Sequence, residues 1–353
     1  MSTTLSLPKY SIFLNADWSE LTRLLAGHSK VAVLVDNHTY AHCWPLLEKY
    51  LSPYAPVLIE IPAGEIHKNI DTCQLIWQKM LDVQLDRKSI LINLGGGVIG
   101  DMGGFCASTF KRGMDFIQVP TTLLSQVDAS IGGKLGIDFQ GVKNGIGVFR
   151  DPKAVFIQPV FLETLSDREL RSGFAEVLKH ALIDDADHWQ QLKGVKDLRS
   201  LDWNQEIARS LEVKRHIVEE DPFERGARKA LNFGHTLGHA IEGQALETEN
   251  PLLHGEAIAI GMIAEAHLSM QKTGLSEAAL QEVSDTILSI YEPPALDFSH
   301  WDTWMDFMRN DKKNEADQIL CSLISPIGDY KVNISVQEQE IRAALAYYQG
   351  LVS

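Results

Sequence analysis

The sequence predicts a Rossmann-like α/β domain over residues 1–165, followed by a mainly α-helical domain over residues 166–353. In the first half, short β-branched runs alternate with helical patterns, and such alternation favours a mainly parallel sheet. Beyond residue 166, apolar residues instead recur at intervals of three and four, which is typical of helices. A chain of 353 residues is also too long for one small core. We therefore expect two domains.

The first half contains four runs that we interpret as buried strands: Val31 to Val35, Val57 to Ile61, Ser89 to Leu94 and Phe116 to Val119. Between the second and third runs, Ile76, Met80 and Val83 lie four and three residues apart. This spacing predicts a crossover helix from Asp71 to Val83.

The second half shows helical patterns at Asp167 to Leu192, Trp203 to Glu220, Lys229 to Glu242, Gly255 to Gln271, Ser276 to Tyr291 and Val336 to Tyr348. A short strand is predicted at Ile319 to Ile324. The segment Gly132 to Pro159 joins the two halves, is rich in glycine and carries Lys134, Lys143 and Asn144. It is predicted to line a crevice between the domains, which we expect to close when substrate binds.

The composition argues against several classes of protein. A net charge of −15 would repel nucleic acid, and the chain has no long basic run. The four cysteines lie far apart with no Cys-x-x-Cys pair, which fits a reducing compartment. The longest mostly apolar stretch, Ala257 to Ala266, is too short to cross a bilayer, and residues 1–18 do not resemble a signal peptide. We expect a cytoplasmic protein without nucleic acid or membrane partners.

A glycine-rich turn follows the third predicted strand. Gly95, Gly97 and Gly100 form the pattern G-x-G-x-x-G between this strand and a helical pattern, a context that favours a dinucleotide. Its pyrophosphate would lie at the amino terminus of the helix, where backbone N–H groups and the helix dipole attract anions. The alternative is a turn that serves only tight packing of strand against helix. No lone acidic residue follows about twenty positions later, so the usual fingerprint is incomplete.

Two helical patterns carry polar side chains that could bind a metal. Glu176 and Lys179 are three residues apart on one helix face, and His235 and His239 are four apart on another, while His254 begins a further helix. One carboxylate and two imidazoles with an open position would make a catalytic zinc site. From spacing alone, both paired histidines could bind metal, one could face substrate, or both could be hydrogen-bonded core residues. Glu176 and Lys179 could also be a surface ion pair.

An anionic substrate requires cations gathered locally, because the protein as a whole is negative. Candidates are Lys134, Lys143, Lys214, Arg228 and Lys312, each of which could instead be a solvated surface charge. The planar fork of an arginine suits bidentate binding of carboxylate or phosphate.

Six stretches together resemble the 3-dehydroquinate synthase family, in the same order, from about Val31 to Asp329. They read GGGVIGDMGGFCAST, RGMDFIQVPTTLLSQVDASIGGK, KNGIGVF, AEVLKHALI, LNFGHTLGHAIE and HGEAIAIGM. The resemblance implies the dehydroquinate synthase-like fold, with an α/β nucleotide-binding domain and a mainly helical domain. It also implies NAD and a divalent metal, Zn²⁺ or Co²⁺, as cofactors.

The resemblance implies a role for each matching residue. The metal ligands would be Glu176, His235 and His254, with His239 facing the substrate. NAD would contact Asp36, Asn37, Glu65, Lys68, Gly96, Gly97, Val98, Asp101, Thr121, Thr122, Lys134, Lys143, Phe161 and Thr164. The substrate would contact Asp128, Lys134, Asn144, Lys179, Lys214, Arg228, Asn232, His239 and Lys312. Arg112 would reach the site of a neighbouring subunit, so a homodimer is expected.

The implied reaction converts 3-deoxy-D-arabino-heptulosonate 7-phosphate to 3-dehydroquinate and phosphate, on the shikimate route to aromatic amino acids. It proceeds by transient oxidation with NAD, phosphate elimination, re-reduction and aldol closure. Lys134, Asn144 and His239 would hold the phosphate, and Arg228 and Lys214 would suit the carboxylate.

Three other functions are compatible with parts of this pattern. A sister sugar-phosphate cyclase, such as a 2-epi-5-epi-valiolone or 2-deoxy-scyllo-inosose synthase, would take a sugar phosphate without a carboxylate. A metal-dependent polyol dehydrogenase would release NADH. A regulator that only binds metal or nucleotide would not need Lys134, Lys179 and Lys214, and their presence argues against it.

Overall fold

The computed structural model describes residues 2–140, 142–246, 248, 250–310 and 318–353. The chain divides into two compact units. The first comprises Met1–Ser166 with Asp202–Leu211, and the second comprises Asp167–Leu201 with Glu212–Ser353. Within the described ranges, no helix combines the length and the apolar composition that crossing a bilayer requires.

The first unit contains a seven-stranded sheet and a separate two-stranded hairpin. The strands are β1 Thr3–Ser6, β2 Ser11–Leu14, β3 Val31–Asp36, β4 Val57–Ile61, β5 Ile90–Gly95, β6 Asp115–Pro120, β7 Lys134–Phe139, β8 Val142–Phe149 and β9 Ala154–Ile157. The large sheet has the order β1-β2-β9-β6-β5-β3-β4, and β7 pairs with β8 in the hairpin. Only β1 and β2 are antiparallel neighbours within the large sheet as described.

The parallel strands define the edge at which a ligand is expected. From β4 the order runs to β3, β5, β6 and β9, so the chain changes its winding direction between β3 and β5. In open α/β sheets, ligands bind beyond the carboxyl ends of the strands at such a switch point. The glycine-rich turn directly follows β5.

Helices cover both faces of this sheet. They are α1 Trp18–Leu25, α2 Asn37–His42, α3 Trp44–Leu51, α4 Ile70–Asp82 and α5 Gly97–Thr109. Because side chains alternate along a strand, Leu34 and Leu91 face a core with α4 and α5, whereas Val33 and Ile92 face a core with α1 and α3. β3 and β5 are therefore buried on both sides, which explains their continuous apolar runs.

The second unit is mainly helical, as predicted. Its elements are α6 Asp167–Asp184, α7 Ala186–Leu192, the latter part of α8 Trp203–Glu220, α9 His235–Ala245, α10 His254–Lys272, α11 Glu277–Ile290, α12 Trp301–Arg309, β10 Ile319–Ile324, β11 Tyr330–Val336 and α13 Glu338–Val352. β10 and β11 form an antiparallel pair.

Helices α9 and α10 pack with their backbones in close approach. A Cβ added to Gly261 would lie 1.9 Å from the carbonyl oxygen of Gly234, so no side chain fits there. The fully buried carboxylate of Glu265 on α10 accepts hydrogen bonds from the N–H groups of Gly234, Thr236 and Leu237, at 2.7, 3.0 and 3.1 Å. It thus satisfies unpaired donors at the amino terminus of α9, where the helix dipole favours negative charge.

Four sequence-based predictions need correction. The helix predicted from Lys229 begins only at His235, because Ala227–Asn232 is a 3₁₀ turn and Gly234 has a φ of 79°. The predicted helix Asp167 to Leu192 is two helices, interrupted where Asp185 caps α7. The supposed linker Gly132 to Pro159 contains the β7–β8 hairpin and β9. The predictions did not include β1, β2 and β11 or the helix α12.

Candidate active site

The glycine-rich turn forms one wall of a concave site in the first unit. Gly95 ends β5, and α5 begins at Gly97. The other walls come from β6 and from a π-helical turn at Ser125–Ala129; they include Gln118, Pro120, Ser125, Ala129 and Ser130. The site therefore lies at the switch point of the sheet, beside a helix amino terminus.

Gly95 and Gly97 differ in whether the surrounding protein leaves room for a side chain. A Cβ on Gly95 would lie 2.5 Å from Cβ of Ile99, so packing of strand against helix excludes a side chain there. A Cβ on Gly97 would meet only Ala129, at the ordinary contact distance of 3.7 Å. Packing thus accounts for Gly95 but not for Gly97. A glycine that packing does not require fits a ligand that approaches the backbone closely, as a dinucleotide pyrophosphate does.

The remaining cofactor candidates lie near the carboxyl ends of the strands. Asp36 ends β3 and caps α2 through Thr39, while the side chain of Asn37 accepts a hydrogen bond from the N–H of Ala63 at 3.0 Å. After β6, the N–H of Thr121 donates to the carbonyl of Gly95 at 3.0 Å.

Four more residues predicted to contact NAD make contacts with other parts of the protein. Thr122 and Ser125 join their hydroxyl groups at 2.9 Å, and Val98 packs partly buried against the core. Phe161 is buried in the hydrophobic core, and the Thr164 hydroxyl donates to its carbonyl at 3.4 Å. The side chain of Phe161 therefore packs within the core.

A buried lysine links three parts of the first unit. Nζ of Lys68 lies 2.6 Å from Oδ2 of Asp101 and 2.8 Å from Oδ1 of Asn144, and 3.9 Å from a carboxylate oxygen of Glu65. Nζ of Lys143 lies 3.6 Å from the same oxygen of Glu65. Burial would lower the pKa of Lys68, but the charges of Asp101 and Glu65 outweigh it and raise the pKa. Burial raises the pKa of Asp101, and Lys68 opposes that shift.

Three further candidates of this unit have distinct settings. Lys134 opens β7 and is partly buried, and Asp128 lies within the π-helical turn. Arg112 is exposed, with a φ of 68°, and stands between Lys111 at 48° and Gly113 at 114°. Three consecutive residues with positive φ make this an unusual, strained turn, since non-glycine residues rarely adopt that region.

In the second unit, α6, α9 and α10 bring four candidate metal ligands together. Oε1 of Glu176 lies 3.5 Å from Nε2 of His235 and 3.5 Å from Nε2 of His254. In a tetrahedral zinc site with bonds of about 2.0–2.1 Å, neighbouring ligand atoms are about 3.4 Å apart. The spacing and the donor set therefore fit Zn²⁺ or Co²⁺.

Second partners orient both of these histidines. Nδ1 of His235 lies 3.0 Å from the carbonyl oxygen of Phe233, and Nδ1 of His254 lies 3.3 Å from Oε2 of Glu242. Such partners fix the imidazole tautomer so that Nε2 can bind metal. Burial disfavours the charged imidazolium of His254, but the carboxylates of Glu242 and Glu176 outweigh that effect and raise its pKa to about 9.

His239 completes the group. Its ring centroid lies 5.0 Å from that of His235 and 5.6 Å from that of His254, and the three residues offer ligand nitrogens within 4.8 Å of one another. The geometry thus accommodates a ligand set with Glu176 or one with three histidines. His235 and His239 therefore lie in one cluster with His254.

Lys179 and Glu176 are not a surface pair. The side chains of Lys179 and Glu176 are 1% and 0% exposed. The ammonium of Lys179 contacts Oε2 of Glu176, whereas Oε1 is the oxygen that lies near His235 and His254. A buried ion pair beside three histidines is a setting in which charge is placed for binding or chemistry.

Two of the predicted anion-binding residues of this unit, Arg228 and Asn232, lie in the turn between α8 and α9. The carboxylate of Asp221 accepts hydrogen bonds from the N–H groups of Arg225, Gly226 and Arg228, which together outweigh burial and lower its pKa. The buried guanidinium of Arg228 donates to the carbonyl of Pro222 at 2.7 Å.

Asn232, Lys214 and Lys312 of this unit were also predicted to bind the anionic substrate. Nδ2 of Asn232 donates to Oε1 of Glu224 at 2.8 Å, and Lys214 is buried on α8. Lys312 lies outside the described residues.

Four acidic residues with structural roles at these sites were absent from the predictions: Asp138, Asp221, Glu242 and Glu265. Glu242 lies seven residues after His235 and therefore on the same helix face, a signal that the sequence did contain. The partners of Glu265 lie about thirty residues away in sequence, and no local pattern marks them.

Comparison with known proteins identifies the family. Residues 58–172 match the family described as 3-dehydroquinate synthase N-terminal, and residues 173–314 match the one described as 3-dehydroquinate synthase C-terminal. The 3-dehydroquinate synthase of Parabacteroides distasonis is 40% identical over 337 residues, which cover 94% of this chain and 95% of that protein.

Solved structures show the same fold. The 2-epi-5-epi-valiolone synthase ValA of Streptomyces hygroscopicus, with NAD⁺ and Zn²⁺ bound, is 27% identical and superimposes with a TM-score of 0.86, covering 99% of each chain. A 2-deoxy-scyllo-inosose synthase complexed with carbaglucose-6-phosphate, NAD⁺ and Co²⁺ is 20% identical, with a TM-score of 0.86 and coverage of 98% and 99%. Both family matches and the 40% identity over nearly the full length agree: this chain belongs to the 3-dehydroquinate synthase family.

Proposed function

We propose that this chain converts 3-deoxy-D-arabino-heptulosonate 7-phosphate to 3-dehydroquinate and phosphate, the shikimate-pathway reaction of aromatic amino acid biosynthesis. The observation that carries the proposal is the buried Glu176 carboxylate, 3.5 Å from Nε2 of both His235 and His254. This donor set occurs in a chain that is 40% identical to a named 3-dehydroquinate synthase.

We assign NAD⁺ and a divalent metal, Zn²⁺ or Co²⁺, as cofactors. Glu176, His235 and His254 would hold the metal, and the turn at Gly96 and Gly97 would hold the pyrophosphate. When bound, the pair supplies a reversible hydride acceptor and a Lewis acid that polarises the hydroxyl group being oxidised. The supporting observations are the ligand spacing at the histidines and the presence of a glycine at position 97 that packing does not require.

The chain's own residues would bind and orient the sugar acid. Arg228 offers a planar fork that suits the substrate carboxylate, and the three N–H bonds to Asp221 fix the turn that presents it. Lys214 would add a second positive charge. Lys134, Asn144 and His239 would hold the phosphate. Once a ring hydroxyl has been oxidised to a ketone, the C–H group beside the ketone becomes acidic, and loss of its proton would expel the phosphate from the next carbon by elimination.

Lys179 would act through Glu176. Its buried ammonium contacts the carboxylate oxygen that does not face His235 and His254, so it fixes how Glu176 is oriented toward them. It also offsets the negative charge that a carboxylate would otherwise carry alone in a buried setting.

A sister cyclase is the second candidate, since ValA shares the fold at a TM-score of 0.86. Its identity of 27%, against 40% for the named 3-dehydroquinate synthase, favours the first candidate. Arg228 and Lys214, both buried, suit a substrate that carries a carboxylate. We also propose a cytoplasmic homodimer in which Arg112 reaches the partner's site; a mass from light scattering equal to one chain would contradict the dimer.

The test is phosphate release by metal-loaded protein with catalytic NAD⁺, with NADH absorbance followed in the same sample. Phosphate from the heptulosonate phosphate, without net NADH and with none from sedoheptulose 7-phosphate, supports the proposal. Phosphate from sedoheptulose 7-phosphate would assign a sister cyclase. Accumulating NADH would indicate a dehydrogenase.

A further inference from the structure

Asn144 is an exposed residue that is held from two sides. Its backbone has a φ of 51°, in the left-handed region, and lies in the β7–β8 hairpin. Its backbone N–H donates to Oδ1 of Asp138 at 2.6 Å, and its side-chain Oδ1 accepts from Nζ of Lys68 at 2.8 Å. Both contacts involve charged partners, which make hydrogen bonds roughly twice as strong as neutral ones.

These contacts fix the direction of the Asn144 amide. Because Oδ1 faces Lys68, the amide group presents Nδ2 on its other side, and no described residue accepts a hydrogen bond from it. An exposed amide would ordinarily rotate between orientations that offer oxygen or nitrogen to a ligand. Here only the donor is offered, and a donor is what an anion requires.

Lys68 is itself held in place. It is 5% exposed, and its ammonium bonds to Asp101 at 2.6 Å. The carbonyl of Lys68 also accepts from the N–H of Asp138 at 2.8 Å, so the segment carrying Lys68 is joined to β7. Asp101 follows the glycine-rich turn, which makes the chain of contacts Asp101–Lys68–Asn144 continuous from that turn to the hairpin.

We propose that Lys68 and Asp138 are positioning residues that hold Asn144 with its Nδ2 group directed to the substrate phosphate. The inference rests on the proposed function, which places Asn144 at the phosphate, and it assigns to Lys68 a role beyond the cofactor contact. Asp138 has no assigned role in that function.

The test is a double-mutant cycle with inorganic phosphate as the probe, bound to the metal-loaded full chain at saturating NAD⁺. Asn144→Gly removes the amide and tolerates the left-handed backbone. Lys68→Met removes the charge and keeps the aliphatic stem. We expect Lys68→Met to raise the phosphate Kd about tenfold in the natural background, as loss of a hydrogen bond to a charged group does, and by less than about twofold in Asn144→Gly.

A second pair of variants does not depend on the stability of Lys68→Met. Asp138→Ala removes the acceptor for the Asn144 N–H, whereas Asp138→Asn keeps an acceptor oxygen. We expect Asp138→Ala to raise the phosphate Kd and the KM for the sugar phosphate with a smaller change in kcat, and Asp138→Asn to restore both. Lys30→Met is the control, because the exposed Lys30 donates to the carbonyl of Val83 at 2.8 Å and takes no part in the contacts around Asn144. Lys30→Met should change neither the phosphate Kd nor the KM.

The outcomes separate the inference from the proposed function. Equal effects of Lys68→Met with and without Asn144, or equal effects of the two Asp138 variants, would overturn the inference, even in an enzyme that turns over. Coupled phosphate affinities in a protein that does not release phosphate from the heptulosonate phosphate would support the inference and reject the proposed reaction.

Discussion

Nδ1 of His254 and Oε2 of Glu242 lie 3.3 Å apart, on the first turn of α10 and near the end of α9. Glu242 is buried, and its carboxylate helps to raise the pKa of His254 to about 9 against the effect of burial. A carboxylate behind a metal-binding histidine fixes the ring and increases the basicity of the ligand nitrogen. The relationship therefore has a measurable consequence for metal affinity.

We expect Glu242→Gln to weaken Zn²⁺ binding by about 10- to 100-fold, because the amide removes the negative charge but nearly preserves the shape. Competition with a chelating dye measures the Kd directly, without reference to turnover. Glu282→Gln is the matched control, since Glu282 pairs with Lys193 and Trp189. An unchanged Kd in Glu242→Gln would show that Glu242 only fills space beside His254.

A pair of histidine variants tests which ligand set is used. If Glu176, His235 and His254 bind the metal, His235→Asn should abolish tight metal binding, because a three-residue site loses one of its ligands. His239→Asn should retain the metal and lose turnover by about 100-fold or more, in the range of a general acid–base or positioning group. Metal content after dialysis and kcat measure the two effects. Loss of metal in His239→Asn would establish the three-histidine set instead.

The sequence was most informative where one face or both faces of an element are buried. The run Val57–Ile61 and the run Ile319–Ile324 were predicted with their observed bounds, because short runs rich in β-branched and other apolar residues mark strands. The β7–β8 hairpin was missed because Gly136, Gly145 and Gly147 replace the β-branched residues that signal a strand.

The start of α9 was missed for a conformational reason. Residues 227–232 continue the apolar spacing as a 3₁₀ turn, and only the positive φ of Gly234 separates this turn from the helix. At the candidate site, the sequence provided the candidate metal ligands but not their distances. The contact of Glu176 with His235 and His254 joins segments about 60 and 80 residues apart, a separation that depends on helix packing and has no local pattern.

The carboxylate of Asp86, in the turn from Asp86 to Ser89, should make the stability of the protein depend on pH in the acid range. Oδ1 of Asp86 accepts hydrogen bonds from the Ser29 hydroxyl at 2.6 Å and the Ser89 hydroxyl at 3.0 Å, which lower the pKa of Asp86 from 3.8 to about 2. Because the pKa of Asp86 is lower in the folded state, these hydrogen bonds contribute stability that is present above pH 3.8 and is lost as the pH falls through about 2.

We expect Asp86→Asn to lower stability at pH 7 and to flatten the loss of stability between about pH 4 and pH 2. Urea unfolding at a series of pH values measures both. Asp71→Asn serves as the control, since Asp71 is exposed at the start of α4. Parallel acid profiles for the natural protein and Asp86→Asn would contradict the assigned cause.

Glu265 is expected to stabilise the second unit through the start of α9. Glu265→Ala would leave three buried N–H groups without their acceptor, and the loss of such a network costs about 3 kcal/mol or more. Urea unfolding of metal-free protein tests this. The Zn²⁺ affinity should fall as well, because the same N–H groups place His235 at the first position of α9. A normal unfolding midpoint would show that the buried carboxylate contributes no net stability.

A substitution at Gly97 distinguishes a ligand-binding role of the glycine-rich turn from a packing role. Since an added Cβ would meet only Ala129 at 3.7 Å, Gly97→Ala should fold normally and unfold at nearly the same urea concentration. Its NAD⁺ affinity should fall by about tenfold or more, because the methyl group would occupy the surface that the pyrophosphate approaches. Gly350→Ala in α13, with open space around its Cβ, is the control and should leave NAD⁺ binding unchanged. Titration of tryptophan fluorescence measures the affinity. Equal NAD⁺ affinities for Gly97→Ala and the natural protein would contradict the assignment of the pyrophosphate to this turn.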